Sequence, residues 1–337
     1  MTVLRPMSTG EILDRTFSMY RGHFWLFAGI AAVPPAMMLV VQLFWTVFTF
    51  ANGSFRPGQP VTFSSHFTVA TLLVGGLGVL LAAIAYLVGY AVAQGATVFA
   101  VSAVHLGRES SIRESYRRMR GRWGRVCVVE LLIFIRVVGI ALLLMLVVGL
   151  LIGLAGGGIA ASGSRSGANP LLAVIIALVM IFGLLAALVV TFVFYARYSL
   201  AVPSCVLEDL QAQASIKRSV LLANGNYGKI LAVMVLTFVL AMGVNLALQL
   251  PIQLLALAML AQGRLSAQLY LTILNHLVTF VSGAVVGPVG TIALSLVYYD
   301  ARVRKEAFDI QFLMESITSP PPVTAIPPSS APEVSSL

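Results

Sequence analysis

Six apolar stretches, at about 24–50, 67–104, 126–154, 170–202, 228–262 and 268–299, constrain this chain more than any motif does. Roughly 20 apolar residues suffice for one helix to cross a bilayer. In lipid, a single span satisfies its backbone polar groups only as a helix. The expected fold class is therefore all-α, a polytopic membrane protein with six transmembrane helices. Composition agrees: 59% of the residues are hydrophobic and 10% are charged, where a soluble domain carries about 25% charged residues. Four of the stretches exceed a bilayer's need and must tilt, kink or project from it. Pro251 and Pro288 are the expected kinks, since each removes a backbone donor inside a helix.

Basic residues set the orientation. The N-terminal arm, segment 105–125, segment 203–229 and the tail together hold 16 of the 21 Lys and Arg; the alternate loops hold only Arg56, Arg165 and Arg264. Both termini are expected in the cytoplasm, in a multi-pass protein of the bacterial inner membrane. The net charge of +9 then points to anionic lipid headgroups at the cytoplasmic face rather than to nucleic acid. The run from Phe24 is too long for a cleaved signal peptide. The Pro/Ser-rich segment 318–337 reads as a disordered tail.

The chain also repeats itself. SIRESYRRMRGRWGRV at 111–126 and SIKRSVLLANGNYGKI at 215–230 share the frame Ser-Ile-basic-x-Ser-x5-Gly-x-aromatic-Gly-basic-aliphatic. A weaker copy places Thr16, Gly22 and Phe24 opposite Ser115, Gly121 and Trp123. Three helical-hairpin repeats are expected, at about 9–110, 111–214 and 215–300, followed by an amphipathic helix over 301–317. Each would open with a cytoplasmic interfacial helix. Ser8 with Glu11, and Ser111 with Glu114, fit the capping box, and Leu13, Phe17 and Tyr20 would form an apolar face. Gly22, Gly121 and Gly225 would end these helices in the left-handed conformation. Phe24, Trp123 and Tyr227 would then sit at headgroup depth.

LRPMSTGEILDRTFSMYRGHFWLF, RYSLAVPSCVLEDLQAQASIKRS and YYDARVRKEAFDIQ resemble a family of uncharacterised bacterial six-span proteins similar to the membrane domain of glycerophosphoryl diester phosphodiesterase. The resemblance covers about residues 1–316 and implies a fold and a location. It implies no enzyme: in the two-part proteins the chemistry belongs to a separate soluble barrel, which takes roughly 250 residues, and no stretch of this sequence is free to form one.

Candidate chemistry is sparse. His23, His66, His105 and His276 lie in different segments, and no Cys-x-x-Cys occurs. We expect no catalytic residue, metal or cofactor. Asn245, Gln249 and Gln253 stand at i, i+4 and i+8, and His276 should reach similar depth. These four form a candidate intramembrane polar cluster, either lining a cavity or bonding helices together. Arg136 either snorkels or belongs to a paired intramembrane site. Arg197 and Asp300, near the inner ends of spans four and six, are a candidate ion pair. Gly78, Ala82, Ala85 and Gly89 suggest a small-residue packing face. The leading functional expectation is a non-catalytic scaffold or accessory in envelope or lipid physiology; the alternative is a small-molecule or lipid transporter. A cavity reaching Gln249 and His276 would favour transport, and a sealed bundle the scaffold.

Overall fold

The computed structural model describes residues 6–51, 69–161, 170–262 and 267–306. Arg56, His66, Arg165, Arg264, the end of the expected amphipathic helix and the 318–337 tail lie outside them. Among the described residues the chain is all-helical, with no strand. Five helices are long and apolar enough to cross a membrane: α4 (Val69–His105), α6 (Trp123–Ala161), α7 (Pro170–Tyr198), α10 (Tyr227–Ala261) and α11 (Ala267–Glu306). The pair α2 (Phe24–Ala31) and α3 (Val33–Ala51), bent by 43°, is together long and apolar enough to make a sixth crossing if the two form one span. Successive long helices pack as the hairpins α3–α4, α6–α7 and α10–α11. Four short helices gather at one end, here termed the base: α1 (Thr9–Gly22), α5 (Ile112–Arg118), α8 (Ala201–Leu207) and α9 (Ala212–Ala223).

The bend in the first crossing has a covalent cause. Pro34 has no N–H to give the carbonyl of Ile30, four residues earlier. Tyr116, on α5, donates its hydroxyl to that carbonyl at 2.8 Å. Tyr20, on α1, does likewise to the carbonyl of Val285 at 2.6 Å, one residue past the carbonyl that Pro288 leaves without a donor. Helices α10 and α11 run unbroken through Pro251 and Pro288. The break falls at Ala32, just before the Pro34–Pro35 pair.

Buried side chains form a cluster at the base, including Ile12, Phe27, Val101, Met119, Leu200, Ile230, Leu296 and Tyr298. Away from it the helices expose apolar surface, as at Leu142–Leu146 of α6 and Leu184–Leu188 of α7. Helices that are apolar on all faces and exposed need an apolar solvent. The architecture is that of a membrane-embedded multi-pass bundle with a well-packed base.

At the starts of the helices, the expectations hold in part. Ser8 and Glu11 form the full capping box on α1. On α5 only half forms: Ser111 accepts from the Glu114 N–H, but the Glu114 carboxylate turns to Arg118 at 2.6 Å. The buried stripe of α1 is Ile12, Thr16 and Met19. Phe17, on the expected apolar face, is 41% exposed. Gly121 and Gly225 have the same left-handed φ of +81°, which an L side chain adopts only with strain. Gly22 does not take it; α1 ends at His23, with φ −130° and ψ 39°. Phe24, Trp123 and Tyr227 are each the first residue of the helix that follows. Residues 301–306 continue α11 instead of starting a new helix. The glycine face of α4 also differs from expectation. Gly89 packs against Met37 and Pro34 of α3, while Gly78 has open space beside it and Ala82 faces a cavity.

Candidate functional site

A cavity of about 790 Å³ lies between α3, α4, α10 and α11. Two helix irregularities shape it. Pro34 and Pro35 open α3, and Gly283, Gly287 and Pro288 stand opposite on α11. A Cβ on Gly283 would come within 3.1 Å of Pro35, and one on Gly287 within 3.8 Å of Ala31. Gly283 thus lets α11 close on Pro35 along one side of the cavity, while a side chain at Gly287 would meet Ala31 at ordinary contact distance. Val79, Tyr86, Tyr90, Gln94 and Thr97 of α4 form the facing wall, with Thr237, Ala241 and Asn245 of α10 beside it. Tyr86 and Tyr90 stack at 6.1 Å. No charged side chain lines this cavity.

The expected polar cluster is divided. Asn245 lines the cavity and donates to the Ala241 carbonyl at 2.9 Å. Gln249 lies one step beyond it, donating to Asn245 Oδ1 at 3.4 Å and to Thr279 Oγ1 at 3.5 Å. His276 meets Thr46 Oγ1 through Nε2 at 3.0 Å. Because Thr46 donates to the Gln42 carbonyl, the imidazole N–H is the donor in that contact. Gln253 is exposed and joins neither group. Geometry explains the separation: each four-residue step along a helix rotates the side chain by about 40°, so the i+8 position leaves the seam. Thr279 and Gln42, which do line the cavity, link it to Gln249 and to the Thr46–His276 contact.

The expected Arg197–Asp300 pair is absent. The Asp300 carboxylate, fully buried, meets Lys229 Nζ at 2.5 Å and Arg304 Nε at 3.1 Å, and accepts the Met7 N–H at 2.7 Å. Arg197 is exposed, and only its carbonyl is engaged, by Ser219 Oγ at 3.0 Å. The reason is packing: α7 lies against α6, α9 and α10, whereas α11 packs most extensively on α10, whose first turn carries Lys229. A second network joins Glu208 to Arg218 at 2.9 Å and to the Tyr298 hydroxyl at 2.6 Å; Arg218 also pairs with Glu306. Asp209 holds Arg122 at 3.0 Å and Arg125 at 2.9 Å, fastening the start of α6 to the segment before α9.

Arg136 lies 5.7 Å from the ring centroid of Tyr198, the last residue of α7, and makes no ion pair among the described residues. His105 is buried against Tyr299 at 5.0 Å, and neither ring nitrogen has a hydrogen-bond partner. Among the described residues no three His, Cys, Asp or Glu side chains gather as metal ligands would. Sequence reasoning missed Ser282, Thr279 and the prolines of α3. The signal present was Gly283, Gly287 and Pro288 within six residues of one span.

Comparison with family models, curated proteins and solved structures finds no match to this chain.

Proposed function

We propose that this protein is a six-span, non-catalytic membrane protein that takes a lipid-like small molecule from the bilayer into the cavity between α3, α4, α10 and α11. It is thus a lipid or small-molecule transporter. The cavity itself is the observation that carries this reading, because its volume falls within the range of pockets that enclose small ligands. Neither Gln249 nor His276 lines the cavity; Gln249 is one contact away through Thr279, and His276 two contacts away through Thr46 and Gln42. Both termini and the base face the cytoplasm. Exposed Arg113, Arg117, Arg118 and Arg120 on and after α5 support that orientation, since cations there meet anionic headgroups.

The finer architecture belongs to the same proposal. Three related units, each a short interfacial helix followed by a hairpin, are supported by the shared φ of Gly121 and Gly225 and by the aromatic residue opening each following helix. The resemblance to the six-span family supports the same layout. The second reading, a scaffold or accessory, is favoured by the densely ion-paired base, which would hold a fixed cytoplasmic surface.

The test is purification in native lipid, with bound molecules identified by mass spectrometry, for the wild type and for Ala241→Trp. A co-purifying amphiphile lost on filling the cavity supports the transporter reading. A protein with no retained molecule, or one retained equally by both forms, favours the scaffold.

A further inference from the structure

We infer that the cavity selects an uncharged, hydroxyl-bearing amphiphile of one chain, entering sideways between α4 and α10. This rests on the transporter reading and narrows its ligand. Four observations converge on it.

The first is size. At roughly 30 Å³ for each methylene-sized group, taking the share of a water molecule as the yardstick, about 790 Å³ holds roughly 25 heavy atoms. That is one long acyl chain with a small head.

The second is charge. The lining contains no Lys, Arg, His, Asp or Glu. An ionised headgroup brought into an apolar site without a partner costs several kcal/mol. A phosphate or carboxylate head is disfavoured, and so is an ammonium.

The third is the hydrogen-bonding character of the wall. Thr97, Thr237 and Thr279 donate their hydroxyl hydrogens to carbonyls of their own helices, at 2.8 Å each. A hydroxyl has one hydrogen and two lone pairs, so each keeps acceptor capacity for a visitor. The Asn245 amide is likewise turned to its own helix. Ser282 differs. It is 1% exposed, stands in the cavity wall, and its hydroxyl has no partner. Serines inside helices ordinarily bond back to a carbonyl one turn earlier, as Ser295 does at 2.6 Å. Rotation about one side-chain bond, between staggered wells, would turn the Ser282 hydroxyl to a ligand. Tyr86, Tyr90, Gln42 and Gln94 add donors to the same wall, and a wall that both accepts and donates matches a hydroxyl head, such as the glycerol of a monoacylglycerol.

The fourth is the route. Helix α4 packs on α3, α6 and α11, and α10 packs on α11 and α7, but α4 and α10 share no extended packing. Both line the cavity. Entry between them would admit an amphiphile that already resides in the bilayer.

The experiment uses the full-length protein in nanodiscs with three photoactivatable probes of identical chain: a monoacylglycerol, its lysophosphatidic acid counterpart and the free fatty acid. The expected result is labelling of α4, α10 and α11 peptides by the monoacylglycerol, at least tenfold above the two anionic probes. Ser282→Ala should weaken it about three- to tenfold, the effect of one lost hydrogen bond. Equal labelling of the same peptides by the anionic probes would overturn neutral selectivity while leaving a lipid cavity intact. Labelling unaffected by Ser282→Ala would overturn the role of that hydroxyl. If no probe labels these helices, in the wild type or in Ser282→Ala, both this inference and the transporter reading fail.

Discussion

Removing the Asp300 carboxylate should loosen the base more than any single surface change. Its two oxygens hold Lys229 at 2.5 Å, Arg304 at 3.1 Å and the Met7 N–H at 2.7 Å, and the side chain has 0% exposure. Breaking a buried pair from one side costs about 3–5 kcal/mol, because the remaining charge is left unpaired. Two features reduce that here. Lys229 and Arg304 both also donate to the Met7 carbonyl, at 2.8 Å and 2.9 Å. They are 19% and 40% exposed, so water reaches them. We therefore expect Asp300→Ala to cost about 2–3 kcal/mol. At about 2–4 °C for each kcal/mol in a chain of this size class, the thermal midpoint should fall by roughly 5–10 °C at a fixed scan rate. The assay is thermal unfolding in detergent or nanodiscs for Asp300→Ala, Lys229→Ala and the double variant. The double variant should recover about 1–3 kcal/mol of the summed losses. Arg197→Ala combined with Asp300→Ala should simply add, because the side chains do not meet. Additivity at Lys229 with coupling at Arg197 would refute this account of the base.

Further outcomes follow from the same geometry. Cysteines introduced at Ser54, Ser164 and Arg264 should react with an impermeant thiol reagent in intact cells, and those at Arg118 or Ser330 should not; labelling at Arg118 would reverse the orientation. Gly121→Val and Gly225→Val should each cost at least about 1–2 kcal/mol from the left-handed backbone alone, whereas Gly22→Ala should be neutral or slightly stabilising, as read by unfolding midpoint. Tyr116→Phe should cost about 1 kcal/mol by removing the donor to the Ile30 carbonyl, and less in a Pro34→Ala background, where a backbone N–H can serve it. Burial pushes the hydroxyls of Tyr20 and Tyr116 from 10.0 up to about 12. Their folded forms hold the proton more tightly than the unfolded chain does. This stability is complete below pH 10 and is lost between about pH 10 and 12. The alkaline loss should shrink in Tyr116→Phe; an unchanged alkaline profile would argue against a shifted Tyr116.

The sequence alone determined the all-helical, membrane-embedded class, because long apolar runs leave a backbone in lipid no alternative to the helix. Local signals were equally legible. Ser8 with Glu11 caps its helix, the glycines at 121 and 225 turn left-handed, and Phe24, Trp123 and Tyr227 open helices, since each depends on residues within one turn of it. Tertiary structure decided the rest. Lys229 displaced Arg197 as the partner of Asp300 because helix adjacency, which no spacing encodes, put α10 rather than α7 beside α11. Rotation along α10 kept Asn245 and Gln249 on the seam and carried Gln253 away. The cavity needed both the bend before Pro34–Pro35 and the close approach of Gly283 to Pro35. These residues lie some 250 positions apart and meet only when the first and last spans pack together.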